Sequence, residues 1–450
     1  MTALMRRSRR ILTAYQGQQH RPESRSFHRV LTAQSVGMAD FSFAKFMYLH
    51  PATAVLLAGV SAALHVGKLP PALPALQQAL GVTLVQSGFL LSMVQFAGMT
   101  LGVVVGMSAD ALGLRRTMLA GLMLLTTTST LGAACSSFSS LLILRALEGL
   151  GFLLAVMPAP ALIRSCVAPH RLSTRLGWWG SYMPMGSALA LLTGPWLLTG
   201  FAWPVWWLLL AGTTGLAAWL VWCLVPPDQA TQTLAPENAG TGAGLWTRLI
   251  QTLTHGGPWL VALSFAVYSA QWLAVIGFLP TLMVQMGLTA TLTGILSAAV
   301  ALVNVVGNVL SGHLLQRGMA AHRVLLLGFA CMALGAFGAF GAFSTWDLAQ
   351  FPVLRYASVL LFSALGGLIP GTLFSLAVRL APNARTVSTT VGFMQQWSAS
   401  GQFVGPPLVA WVAAQSGGWQ WTWLVTGGLC LAGVALALAI HVHQGRALRR

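Results

Sequence analysis

Charged side chains are scarce in this 450-residue chain: Asp, Glu, Lys and Arg together make up 7%, and only seven residues are acidic. An ordinary soluble domain is about 25% charged, so a water-soluble globular fold is excluded. No such residue occurs from Leu69 to Ala109, Leu176 to Pro227, Leu249 to Gln316 or Thr386 to Gly445. Each stretch far exceeds the roughly 20 residues that cross a bilayer and must hold at least one helical hairpin. Cysteine is also sparse. Cys135, Cys166, Cys223, Cys331 and Cys430 are odd in number and scattered, leaving no disulfide framework or zinc site to read. Paired carboxylates, an H-E-x-x-H run and a phosphate-cradling loop are missing. Ten histidines are dispersed, and His441-Val-His443 lacks further ligands. A membrane-embedded enzyme is therefore disfavoured, with no catalytic residue, metal or cofactor expected.

The net charge of +17 comes from 24 basic residues, a balance that elsewhere marks a phosphate binder. Their positions argue against nucleic acid. Arg115 and Arg116, Arg164, Arg171 and Arg175, Arg248, Arg317 and Arg323, Arg379 and Arg385, and Arg446, Arg449 and Arg450 fall at alternate helix ends, and eight more lie in the N-terminal arm. The opposite connections, such as Ala134 to Ser140 and Gln415 to Trp419, hold no Lys or Arg. By the positive-inside rule both termini are cytoplasmic and the number of spans is even, which places the protein in the cell inner membrane with the lipid bilayer as its surroundings. Residues 1–48 read as a disordered basic arm without the compact apolar region of a secretory signal; a translation start at Met38 or Met47 is the alternative.

Twelve spans are expected, at 52–77, 86–109, 115–134, 141–165, 173–198, 204–225, 257–283, 292–315, 323–343, 352–378, 387–413 and 420–441. A polar stretch beginning Pro226-Pro227-Asp228 separates two similar halves. Shifting by 206 superposes Leu73-Pro74 on Leu279-Pro280, Gly81 and Thr83 on Gly287 and Thr289, and Gly88 on Gly294. So many coincident Gly and Pro positions indicate an internal duplication. The organisation is then an arm (1–48), a six-helix bundle (49–225), a cytoplasmic linker (226–254), a second bundle (255–443) and a basic tail (444–450). The fold class is an all-α membrane protein, twelve transmembrane helices in two pseudo-repeated six-helix bundles.

Between the second and third spans, Gly106-Met-Ser-Ala-Asp110-Ala-Leu-Gly113-Leu-Arg115-Arg116 resembles the G-x-x-x-D-R-x-G-R-R loop of the major facilitator superfamily. Ala111 and Leu114 stand where that loop has basic residues. Gly312-His-Leu-Leu-Gln316-Arg317-Gly318 is a degenerate second copy, and Arg145-Ala-Leu-Glu148-Gly149-Leu-Gly151 is similar to another motif of the superfamily, with Glu148 where Gln is common. The resemblance implies the twelve-helix transporter fold over 52–441. Gly67-Lys68-Leu-Pro70-Pro71-Ala-Leu-Pro74 and Pro158-Ala-Pro160 give a looser likeness to the cyanate and nitroimidazole permease-like branch, although its Asn-Met-Arg-Pro element is absent. Glycines around Gly194-Pro195 and Gly405-Pro406 partly resemble the Gly-Pro motif of drug-proton antiporters.

Lys68, Arg145 and Arg355 are basic residues inside spans, where a cation usually faces a wet cavity or a partner. No acid shares the span of Lys68. Prolines just beyond it interrupt the helix, and His65 lies on the same face, so the pair suits a small anion; snorkelling of Lys68 to the outer interface is the alternative. Arg145 and Glu148 form an i, i+3 pair, and Glu148 can take a proton when that pairing breaks, because an unpaired charge is costly in apolar surroundings. Asp110 is expected to accept from amides of another helix and to pair with Arg115 or Arg116 as a latch. Arg355 reads as an interface anchor or a functional cation. Gln95, Tyr182, Tyr268, Gln271, Trp272, Asn304, Asn308 and Gln395 are candidate substrate contacts around a central cavity; each is also plausible as helix-packing glue.

The expected function is a monomeric secondary transporter working by alternating access. Its partners are a small organic or inorganic anion, taken up, and a proton as coupling ion. Proton-antiport efflux of drug-like hydrophobic compounds is the alternative.

Overall fold

The computed structural model describes residues 50–168, 175, 178–228, 242–342, 352–383 and 386–448. The N-terminal arm, most of the linker, the start of the fifth expected span and the side chain of Asp110 lie outside the described residues. Seventeen α-helices occur among those described. They are α1 (Pro51–Gly67), α2 (Leu69–Leu80), α3 (Leu84–Met93), α4 (Phe96–Leu112), α5 (Leu114–Gly132), α6 (Phe138–Val156), α7 (Ala159–Cys166), α8 (Tyr182–Gly200), α9 (Trp203–Leu224), α10 (Gly242–Thr254), α11 (Gly256–Gln285), α12 (Ala290–Gln316), α13 (Ala321–Ala336), α14 (Pro352–Gly366), α15 (Leu368–Leu380), α16 (Val387–Gln415) and α17 (Thr422–Leu448). A π-helical turn, Phe337–Ala342, prolongs α13. Backbone groups without water must bond within their own segment, so an all-helical answer is what a bilayer demands.

Nine stretches among the described residues are long and apolar enough to cross a membrane by composition alone. The helices α5, α8 and α16 complete the twelve crossings. Threonines such as Thr126, Thr127 and Thr128 dilute α5, as Gln395, Gln396 and Gln402 dilute α16.

Several crossings are broken helices. The first pauses at Lys68, which ends α1 and starts α2 just before Pro70 and Pro71. Pro70 and Pro71 lack the amides that would reach the Val66 and Gly67 carbonyls, and side chains bond the carbonyls on either side of these: Arg145 Nη1 donates to the His65 carbonyl at 2.8 Å and Trp206 Nε1 to that of Lys68 at 3.1 Å. The second crossing breaks at Gln95, the fourth at Pro158 and the tenth at Gly367.

The duplication is visible in the backbone. Gly81 and Gly287 both adopt positive φ (63° and 79°), a conformation that costs glycine nothing. Two residues on, Thr83 and Thr289 each cap the next helix, the hydroxyl accepting from the amides of Gln86 and Leu292 respectively.

Helices α1, α5, α6, α8 and α9 pack among themselves, as do α11 to α17, and the two sets meet where α3 and α4 lie on α16, α8 on α12, and α2 on α11. Gly88 and Gly294, equivalent in the repeat, sit at two of these crossings. A Cβ on Gly88 would stand 2.8 Å from Pro407 Cα, and one on Gly294 2.9 Å from the Leu192 carbonyl oxygen. Lipid offers no hydrophobic drive between helices, so such close backbone approach is what holds them.

Candidate functional site

Lys68, His65, Arg145 and Glu148 converge in the first half, all 0–1% exposed. The break places Lys68 at the junction of α1 and α2, and its ammonium reaches α6: Nζ lies 2.5 Å from Glu148 Oε1. It also donates to Ser129 Oγ of α5 at 3.1 Å, faces His65 Nδ1 at 3.4 Å, and sits 4.6 Å from the centre of a Trp207 ring, a cation–π contact. The other carboxylate oxygen of Glu148 takes Arg145 Nη1 at 2.5 Å, across the i, i+3 spacing. His65 Nε2 meets Thr214 Oγ1 of α9 at 2.8 Å; a neutral ring protonated on Nε2 satisfies both of its contacts. Four crossings thus enclose one network.

This corrects one expectation. Lys68 is not an unneutralised ammonium, nor does it snorkel: its charge is turned inward onto an acid of a neighbouring helix. The cluster as a whole stays unbalanced, with two cations against one carboxylate. Arg145 Nη2 is buried and has no hydrogen-bond partner among the described residues, which is unusual for so costly a group.

The polar residues of the second half join each other. Asn304 Nδ2 donates to Tyr268 Oη at 3.0 Å and to the Ser363 carbonyl at 2.9 Å, while Asn308 Nδ2 donates to Asn304 Oδ1 at 3.1 Å. Gln271 is turned to α17, where Cys430 Sγ donates to its Oε1 at 3.2 Å, and its own amide bonds the Val267 carbonyl. Trp272 is buried, its indole N–H without a partner among the described residues. In the first half, Tyr182 stacks on Trp179 with ring centres 4.4 Å apart. None of these residues shares a partner with the Lys68 network.

Glutamines stitch the halves together. Gln95, at the break between α3 and α4, donates to Gln402 Oε1 at 3.1 Å. Gln396 receives the Val103 amide at 3.1 Å and donates to the Met99 carbonyl at 2.8 Å. The Gln395 side chain is half-buried and makes no hydrogen bond among the described residues; its neighbour Gln396, one position round the helix, carries the contact instead. Gln402 was not foreseen, and the signal was there: it lies seven residues after Gln395, two turns on along the same face of α16.

Beside the expected latch, a second acid meets the start of α5. Asp228, at the start of the linker, accepts the Arg115 amide at 2.9 Å and the Arg116 amide at 3.0 Å, capping the N-terminus of α5. Gly113 precedes them at φ 91°, and a Cβ there would strike the Asp228 carboxylate at 2.6 Å. The Arg115 guanidinium donates to the Trp222 carbonyl at 2.6 Å and lies over the Trp222 ring, while Arg116 points outward. These groups tie the third crossing to the sixth; Asp110 lies in the last turn of α4, and its side chain, and with it the expected latch, is outside the described residues.

Comparison with known proteins agrees with this architecture. No curated protein matches the sequence. Among solved structures, a D-xylose-proton symporter superposes with TM-score 0.67 at 17% identity, covering 86% of this chain and 95% of its own. The xylose transporter XylE from E. coli, in a partially occluded inward-open conformation, gives 0.66 at 15% identity, with 88% and 97% covered. A bacterial homolog of the human lysosomal transporter Spinster, inward-facing and occupied, gives 0.64 at 15%, with 87% and 94% covered. At such identities the likeness is one of fold. The description "Major Facilitator Superfamily" matches residues 54–402, so with its twelve crossings and its duplicated turns this chain is a membrane transporter belonging to the major facilitator superfamily.

Proposed function

We propose that this transporter takes up a small anion together with a proton across the inner membrane, as a monomer with both termini cytoplasmic, by rocking the bundles 49–225 and 255–443 about the contacts of α8 with α12 and of α3 and α4 with α16. The observation that carries this reading is the buried cluster with two cations, Lys68 and Arg145, for one carboxylate, Glu148. A surplus positive charge inside a membrane protein calls for a mobile counter-charge, and the unpartnered Arg145 Nη2 supplies a free donor for it. An arriving anion competes with Glu148 for Lys68 and Arg145, and a proton on the released carboxylate keeps the cluster at its original net charge. One monovalent anion moving with one proton is electroneutral, so a pH gradient alone drives accumulation and the membrane voltage goes unused.

The test is uptake into proteoliposomes of a panel of small carboxylates, cyanate, azoles and, because a fold neighbour is a D-xylose-proton symporter, xylose. Anion uptake should follow an inward proton gradient and stop with a protonophore. Lys68→Ala should reduce it by about tenfold or more, the equivalent of about 1.4 kcal/mol, and Lys68→Arg should retain part of it. Full activity of Lys68→Ala, or transport of only the uncharged solutes, overturns the reading. Exchange of a hydrophobic dye for protons in place of anion uptake would establish efflux.

A further inference from the structure

A second site lies in the other half, at the end of the helices that carries Gly287 and Trp419. A cavity of about 290 Å³ opens between α11, α12, α14 and the π turn after α13, lined by apolar side chains including Leu279, Leu282, Met283, Leu296 and Val359. Among the described residues Arg355 is the single charged one in its wall, and the Tyr356 hydroxyl is already engaged with the Leu296 carbonyl at 3.1 Å. A polar cavity of about 230 Å³ adjoins it, sharing Leu282, Met286, Phe340 and Arg355 and adding Gln285, Trp419 and Gln420. Arg355 therefore stands at the junction of an apolar chamber and a polar one.

The guanidinium is held in place. Its Nε donates to the Ala339 carbonyl at 3.2 Å, a group in the π turn Phe337–Ala342, and such turns recur at functional sites. That bond fixes one edge and leaves the Nη1/Nη2 edge without a protein partner among the described residues. A free fork of two N–H groups matches a carboxylate end-on. The volume is at the low end for small-molecule pockets, which run from about 300 Å³, and suits one acyl chain rather than two. One cation neutralises one negative charge, not the two of a phosphomonoester.

We propose that this double cavity binds a single-chain fatty carboxylate drawn from the bilayer, its tail among Leu279, Met283, Leu296 and Val359 and its head on Arg355 with Gln285 and Gln420 beside it. The site is separate from the Lys68 cluster and does not depend on the transport reading.

The experiment uses the full-length chain in detergent micelles and a palmitate probe bearing a diazirine on its chain, with cross-linked peptides mapped by mass spectrometry. Labelling should concentrate on the segments around Met283, Leu296 and Val359. Palmitate should displace the probe, whereas methyl palmitate, which lacks the charge, and acetate, which lacks the tail, should not. Arg355→Gln should lower labelling by about tenfold, the range of a charge-assisted hydrogen bond, and Arg355→Lys should restore most of it. Leu296→Trp fills the chamber and should abolish labelling with Arg355 intact, so a folding defect in one variant does not decide the matter. Labelling spread over the lipid-facing helices, equal competition by methyl palmitate, or indifference to both Arg355→Gln and Leu296→Trp overturns the proposal.

Discussion

Replacing Glu148 by Gln keeps its shape and removes the acid that two cations share. At an effective dielectric of about 20, unit charges at the observed 2.5 Å attract by about 7 kcal/mol. Desolvation offsets most of that, and removing one partner of a buried pair costs about 3–5 kcal/mol. Glu148→Gln breaks both pairs at once and leaves Lys68 and Arg145 facing each other, so a loss of about 4 kcal/mol is expected. Lys68→Met leaves the Arg145–Glu148 pair intact and should cost only about 1.5 kcal/mol, because an apolar side chain of similar length tolerates burial. The combination is the sharper test. With Glu148 already gone, deleting the orphaned ammonium relieves repulsion, so the double variant should lose about 3 kcal/mol, less than Glu148→Gln alone, an interaction of about 2.5 kcal/mol. Denaturant unfolding followed by tryptophan fluorescence reads all four proteins. If Lys68→Met destabilises by the same amount in both backgrounds, the three charges do not act as one network and the reasoning fails.

Three further outcomes are expected. Asp228→Ala removes the acceptor for two amides and should cost about 1–2 kcal/mol, seen as faster hydrogen exchange at Arg115 and Arg116 with the rest of the chain unchanged; unaltered exchange there would refute the capping role. Cysteines at Gly102 and Gln396, in a chain stripped of its own five, should form a disulfide, since a Cβ at Gly102 would lie 3.2 Å from Gln396 Cβ, close to the 3.5–4.5 Å that a disulfide needs; oxidation should arrest transport and reduction restore it, whereas transport through an oxidised pair would show that α4 and α16 do not separate there. Tags at Ser136 and Arg248 should be reached from opposite sides of the membrane, and access from one side would overturn the topology.

The crossings and the break in the first of them were legible because lipid imposes simple rules. Charge-free runs have nowhere else to go, Pro70 and Pro71 together interrupt the ladder beside Lys68, and the pairing of Gly81 with Gly287 reflects a local backbone requirement; the breaks at Gln95, Pro158 and Gly367 were not foreseen. The Arg145–Glu148 contact was legible for the same reason, being fixed by spacing within one helix. What failed to show was rotation. Lys68 meets Glu148 only because α1 and α6 turn particular faces together across 80 positions, and no local pattern encodes that. The choice of Gln396 over Gln395 is a turn of about 100° about one helix axis, finer than a boundary read from hydropathy. That Asp228 caps α5 was equally hidden, because it joins positions more than 110 apart in the chain, a tertiary contact invisible in the motif.

The twin turns at Gly81 and Gly287 carry a consequence for how such a chain came to tolerate its own interior. The turn geometry occurs twice, yet the linked set of Lys68, Arg145 and Glu148 occurs once, the polar network of the other half being built from amides and a phenol. Had both copies kept the ionic set, the lipid phase would enclose twice the uncompensated charge. Confining the ionic network to one half therefore limits the charge that the lipid phase has to enclose.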